Sequence, residues 1–142
     1  MTADAHELAA RVAEAMYAKD HAARHLGIKV KEVGPGHAVL TMKVEPYMVN
    51  GHDICHGGMT FALADTAFAY ACNARNEATV AAGCLIDYLA PAHQGDVLTA
   101  TAQETAKGGR QGIYDITVTN QEGVTVATFR GRAASLRKPV IE

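Results

Sequence analysis

The pattern of apolar and polar positions changes period several times along the chain. Residues 4–19 carry Leu8, Val12, Ala15 and Met16 at helical spacing. Asp4, with Glu7 three positions on, predicts a capping box at the start of that helix. A short helical turn ends at His25-Leu26-Gly27. From there the period falls to two. Ile28, Val30 and Glu32 alternate with Lys29, Lys31 and Val33, and beyond Gly34-Pro35-Gly36 come Ala38, Leu40, Met42 and Val44. The expected structure is a two-stranded hairpin stopped by Pro46. A loop over 47–55 leads to His56-Gly57-Gly58, which opens the segment 59–75, free of Pro and Gly and dense in alanine. Alanine is the strongest helix former, and apolar residues on nearly every side predict a buried helix. Four strands are then expected, over 80–89, 97–105, 112–119 and 124–136, with turns at Lys107-Gly108-Gly109-Arg110 and Gln121-Glu122-Gly123. Strands gathered around one buried helix argue α+β, with a curved antiparallel sheet wrapping that helix.

Composition narrows the function. The chain has 142 residues, enough for one domain over 1–142, with 49% hydrophobic and 20% charged residues. The net charge of −2 and the lack of Trp exclude a basic, aromatic nucleic-acid surface. The start, Met1 to Glu7, has no basic and apolar leader, and no apolar run is long enough to span a membrane. Cys55, Cys72 and Cys84 are odd in number and unpaired in spacing, which fits reduced thiols in the cytoplasm, with Cys72 and Cys84 expected as buried small hydrophobes. Met48, Met59, Phe61, Phe68 and Tyr70 are expected chiefly as core.

One charge interrupts the buried helix: Asp65, followed by Thr66. An ionised carboxylate in a dry setting is costly unless paired, so Asp65 either caps a neighbour or meets a buried cation, or it carries chemistry. The helix start favours chemistry. Gly57 and Gly58 leave backbone N–H groups uncovered at the positive end of the helix dipole, a plausible oxyanion hole for an acyl carbonyl. His56 serves either the loop backbone or the reaction. His52, Cys55 and His56, with Asp53 nearby, match no standard zinc spacing, so no metal or other cofactor is expected.

The stretch from Asn50 to Gly58, with Asp65 nine residues after His56, resembles the hotdog-fold thioesterases. Leu63 to Asn73, Asp87-Tyr88-Leu89-Ala90-Pro91, Gly95 to Ala100 and Phe129-Arg130-Gly131-Arg132 are similar to the phenylacetate-degradation (PaaI) branch. The resemblance covers roughly residues 20–136. It implies a homodimer or homotetramer and hydrolysis of acyl-CoA thioesters, phenylacetyl or hydroxyphenylacetyl among the candidates. It implies Asp65 as general base or nucleophile, the Gly57 N–H as the group polarising the carbonyl, and Asn50 and His56 as residues lining the site. Some relatives carry a Ser or Thr near positions 81 and 82 to hold the water, where this chain has Ala81 and Ala82.

Helical geometry adds a constraint. Eight residues of helix rise about 12 Å, so Asp65 cannot reach its own helix start. A site built from both groups is expected to be shared across a two-fold dimer. Gly58 and Thr66, beside these two groups, are candidate substrate contacts. Lys107, Gly108, Gly109, Arg110, Arg130 and Arg132 are candidates for the coenzyme A phosphates, or simply a solvated sheet face. The competing functions are a non-catalytic acyl-CoA-binding module, for which the chain leaves no room for an attached DNA-binding segment, and a hotdog hydratase or dehydratase, which needs a different acid–base set, usually His with Asp or Glu, and in one branch a Phe-Pro dipeptide that is absent after the histidines here.

Overall fold

Three helices, one 3-10 turn and six strands build the chain, as described by a computed structural model over residues 3–142. Met1 and Thr2, at the head of the amino-terminal stretch and of the 1–142 domain, lie outside the described residues. Helix α1 spans Ala3–Lys19 and α2 His21–His25. Strands β1 (Lys29–Gly34) and β2 (His37–Lys43) form the hairpin. A 3-10 turn, Pro46–Met48, precedes the central helix α3, Gly57–Asn73. Strands β3 (Thr79–Tyr88), β4 (Val97–Gly108), β5 (Gln111–Thr119) and β6 (Thr125–Ser135) complete one antiparallel sheet in the order β1-β2-β4-β5-β6-β3. Asp4 lies inside the first turn of α1, not at its cap, because the helix already begins at Ala3.

Helix α3 touches all six strands. Six strands at about 4.8 Å spacing are much wider than a helix of roughly 10 Å diameter, so the sheet must curl around it. The sequence of α3 permits this. Ala64, Ala67 and Ala71 let strands approach, while Leu63, Phe68 and Tyr70 fill the space between them, each buried. Phe68 packs against the rings of Tyr114 and Phe129. It fits only because β6 carries Gly131 beneath it, where an added Cβ would lie 2.7 Å from the ring. Gly131→Ala is therefore expected to destabilise the fold by about 1–3 kcal/mol through overpacking, measured as a lower urea midpoint. An unchanged midpoint would mean that the helix can shift off the sheet freely.

Register shifts interrupt four of the strand pairings, and those in β1 and β3 bear on the reading of the sequence and on the sheet edge. In β1 the register slips at Lys31, so Val30 and Val33 pair with Leu40 and Ala38 and share the inner face, although they are three apart. The expected alternation placed Val33 opposite Val30; the extra residue of the bulge cancels that. In β3 the slip falls at Ala82, between the pairs Ala81 with Ala133 and Gly83 with Arg132. The Arg132 side chain donates to the Ala82 carbonyl at 3.3 Å.

The two sheet edges differ. Helix α1 packs beside β1. Strand β3 ends the sheet, with Val80, Leu85 and Tyr88 exposed. Cys84 is exposed as well, against the expectation of burial, because it lies on this edge strand, while Cys55 and Cys72 are buried. Met48, Phe68 and Tyr70 are core, and Met59 and Phe61 are partly buried against it. No helix among the described residues is long and apolar enough to cross a membrane.

Candidate active site

The loop before α3 is built to hold the helix start in place. The Asn50 side-chain oxygen accepts the N–H of His52 at 2.9 Å and that of Ile54 at 3.4 Å, closing a tight turn. Asp53 takes a positive φ of 64° within it. A backbone bridge from Val49 to Cys55 seals its neck. The Cys55 N–H then donates to the Ala92 carbonyl and the His56 N–H to the Met48 carbonyl, both at 2.7 Å. The chain thus enters α3 clamped on two sides.

His56 is the N-cap of α3. Its Nδ1 accepts the Gly58 N–H at 3.3 Å, which places the ring proton of the singly protonated form on Nε2. The His56 carbonyl accepts from Met59 at 2.9 Å and Thr60 at 3.4 Å. One donor is left over. Among the described residues the Gly57 N–H has no partner, and Gly57 borders a cavity of about 540 Å³ also lined by Asn50, Cys55, Tyr88, Pro91 and Val126. Burial first, and then the charge of Asp96, keep the Cys55 thiol above its ordinary value, so it stands there as a protonated thiol.

Asp65 lies elsewhere. It is absent from the lining of that cavity and sits on the least buried stripe of α3, with Ala62, Thr66 and Ala69. These positions are spaced to form one helix face. Burial alone pushes the Asp65 carboxyl above the usual value. Burial and then the Asp65 charge raise the Cys84 thiol, so this stripe looks toward the β3 edge. Neither a cation nor a backbone N–H bonds Asp65 among the described residues, so the partners that a capping or ion-pair role requires are missing. Thr66 donates its hydroxyl to the Ala62 carbonyl at 2.6 Å.

The candidate phosphate contacts are spread over the sheet. Lys107 pairs with Glu77 at 3.4 Å, Arg110 donates twice to the Ser135 carbonyl, and Gly108 and Gly109 form the β4–β5 hairpin end. Arg130 is held by Asp115 in a two-pronged contact at 2.7 and 2.8 Å on the outer sheet face, and Arg132 reaches Ala82. The structure does not gather these cations into one cluster. His52, Cys55 and His56 likewise do not converge: among the described residues there is no group of three or more metal-ligating side chains. Sequence reasoning gave Tyr88 no role, yet its hydroxyl donates to the Gly57 carbonyl at 2.8 Å.

A long, mostly apolar helix wrapped by one antiparallel sheet is the architecture of the hotdog thioesterase fold. The chain belongs to the thioesterase superfamily, whose family model matches residues 52–127. Among curated proteins it is similar to the acyl-coenzyme A thioesterase PaaI of Escherichia coli strain K12, 53% identical over 85% of this chain and 86% of that one. The solved structure of the E. coli PaaI protein from the phenylacetic acid degradation operon superposes with a TM-score of 0.94 at 48% identity, covering 95% of this chain and 98% of that one. A hypothetical thioesterase of Streptococcus pneumoniae TIGR4, solved with coenzyme A, superposes at 0.76 with 26% identity over 79% of this chain and 90% of that one.

Proposed function

We propose that this chain hydrolyses acyl-CoA thioesters to the free acid and coenzyme A, with phenylacetyl or hydroxyphenylacetyl as the favoured acyl group. The observation that carries the reading is the unpartnered Gly57 N–H at the edge of a largely apolar cavity. The N–H groups of Cys55, His56, Gly58 and Met59 on either side are already bonded, so this donor is pre-oriented for the charge that develops on a thioester oxygen. Likeness to the E. coli thioesterase supports the reaction class, and the coenzyme A bound to the pneumococcal relative supports the carrier.

In this mechanism the Gly57 N–H polarises the carbonyl, while Asn50 and His56 shape the mouth of the site. Asp65 either attacks the carbonyl carbon, expelling the thiolate of coenzyme A and forming a mixed anhydride that water then opens to the free acid, or takes the proton of a water that attacks the carbonyl carbon as the thiolate leaves. Asp65 and Gly57 do not meet within one chain, so Asp65 comes from a second copy. The open β3 edge and the half-buried stripe of α3 beside it support pairing on this face, as a homodimer or a dimer of dimers. Gly58 and Thr66 flank the two reacting groups. Lys107, Gly108, Gly109, Arg110, Arg130 and Arg132 remain the candidates for the phosphates. Three unpaired thiols suit a cytoplasmic setting.

The test is thiol release from a panel of phenylacetyl-, hydroxyphenylacetyl- and straight-chain acyl-CoAs. The highest kcat/KM is expected with an aryl-acetyl group. Binding without thiol release would sink the hydrolase reading in favour of a binding module, and water addition to an intact enoyl thioester would favour a hydratase.

A further inference from the structure

Glycine at the first position of α3 brings a difficulty with it. Its backbone is the freest of any residue, yet an oxyanion donor is effective only when its direction is set in advance. Something must hold Gly57 still. On its amino-terminal side the peptide is pinned through the His56 carbonyl, which accepts from Met59 and Thr60. On its carboxy-terminal side the Gly58 N–H is taken by His56 and the Gly57 carbonyl by the Tyr88 hydroxyl.

Tyr88 is suited to this work. It is the last residue of β3 and pairs with Ala127 of β6, so its backbone belongs to the sheet. The hydroxyl end of its ring lies so close to Gly57 that an added Cβ there would stand 3.0 Å from Cζ and Oη. The same ring walls the cavity that Gly57 borders. Burial first, with the nearby Cys55, keeps the phenol above its ordinary value, so the hydroxyl stays a donor.

We propose that Tyr88 is the positioning residue of the site: its hydroxyl bond holds the Gly57–Gly58 peptide and so fixes the backbone rotation of Gly57, whose free N–H, in the peptide before it, then faces the thioester oxygen. The inference rests on the thioesterase reading above. It predicts a loss confined to the transition state, since the ring that seats the substrate remains in Tyr88→Phe. That variant is expected to lower kcat roughly tenfold, less than loss of the donor itself, with KM within about twofold of wild type. Tyr88→Ala removes the wall as well and is expected to raise KM in addition.

Kinetics with the best acyl-CoA of the panel, together with amide spectra of protein labelled with ¹⁵N-glycine, test this. In Tyr88→Phe the Gly57 and Gly58 resonances are expected to move while that of Gly131, in the core, stays. A kcat within a factor of two, a fall in kcat/KM owed to KM alone, or unmoved Gly57 and Gly58 resonances would each overturn the proposal. Should the wild-type protein release thiol from no acyl-CoA, the thioesterase reading fails, and the resonances alone then decide the role of Tyr88.

Discussion

Replacing Asp65 with asparagine is expected to lower kcat by roughly 10²–10⁴, the usual size of a general-base contribution, with the fold intact. The substitution is nearly isosteric, and no hydrogen bond or ion pair of Asp65 is lost among the described residues. It also removes a carboxylate that burial disfavours. A carboxyl whose value is raised in the folded chain stabilises the fold at low pH and loses that contribution as pH rises through the raised value. At neutral pH the asparagine variant should therefore melt no lower than wild type, and somewhat higher. The same shift sets the pH profile. Only the ionised carboxylate can act, so wild-type kcat/KM is expected to fall as pH drops through a midpoint above the ordinary carboxylate value. The residual activity of the variant should lack that limb. A folded variant that retains kcat within a factor of two would make Asp65 structural and overturn the mechanism.

Gly57→Pro is expected to cost roughly 10²–10³ in kcat, the value of one oxyanion donor. Proline suits the first position of a helix, and His56 already has the extended backbone, φ −59° and ψ 132°, that a residue before proline prefers. The added Cβ presses on the tip of the Tyr88 ring, an exposed end that can give way. The larger result lies in mixing. Asp65→Asn and Gly57→Pro are each expected to be nearly inactive as pure proteins. Unfolded together in equal amounts and refolded, about half of the dimers pair one of each. In such a dimer one site collects both lesions and the other has neither. Activity is expected to recover to about a quarter of wild type by this two-fold pairing. No recovery, with mixed dimers shown by mass spectrometry, would mean that each site lies within one chain.

Much of this arrangement is legible in the sequence, for reasons that can be stated residue by residue. The alanines of α3 mark a helix that strands can approach, and Asp65 is conspicuous as the one charge within it. The phase of Val33 is not legible, because a bulge is a property of strand pairing and leaves no mark at Lys31 itself. Cys84 alternates inward as a core residue would, but sequence does not say which strand ends the sheet. Asn50 reads as a site residue, and its side-chain oxygen proves to be spent on closing the loop that aims Gly57. The Tyr88 contact joins residues 31 apart, beyond the reach of any local pattern.

The interruption in β3 also bears on the newly made chain. A bare strand edge of ten residues is a template on which any unfolded neighbour can add itself, and such additions grow into aggregates. The slip at Ala82, with Arg132 drawn onto its carbonyl, breaks that template into two shorter and differently twisted runs. A stray straight strand can match one run but not both. The irregularity therefore blunts the exposed edge against strand addition.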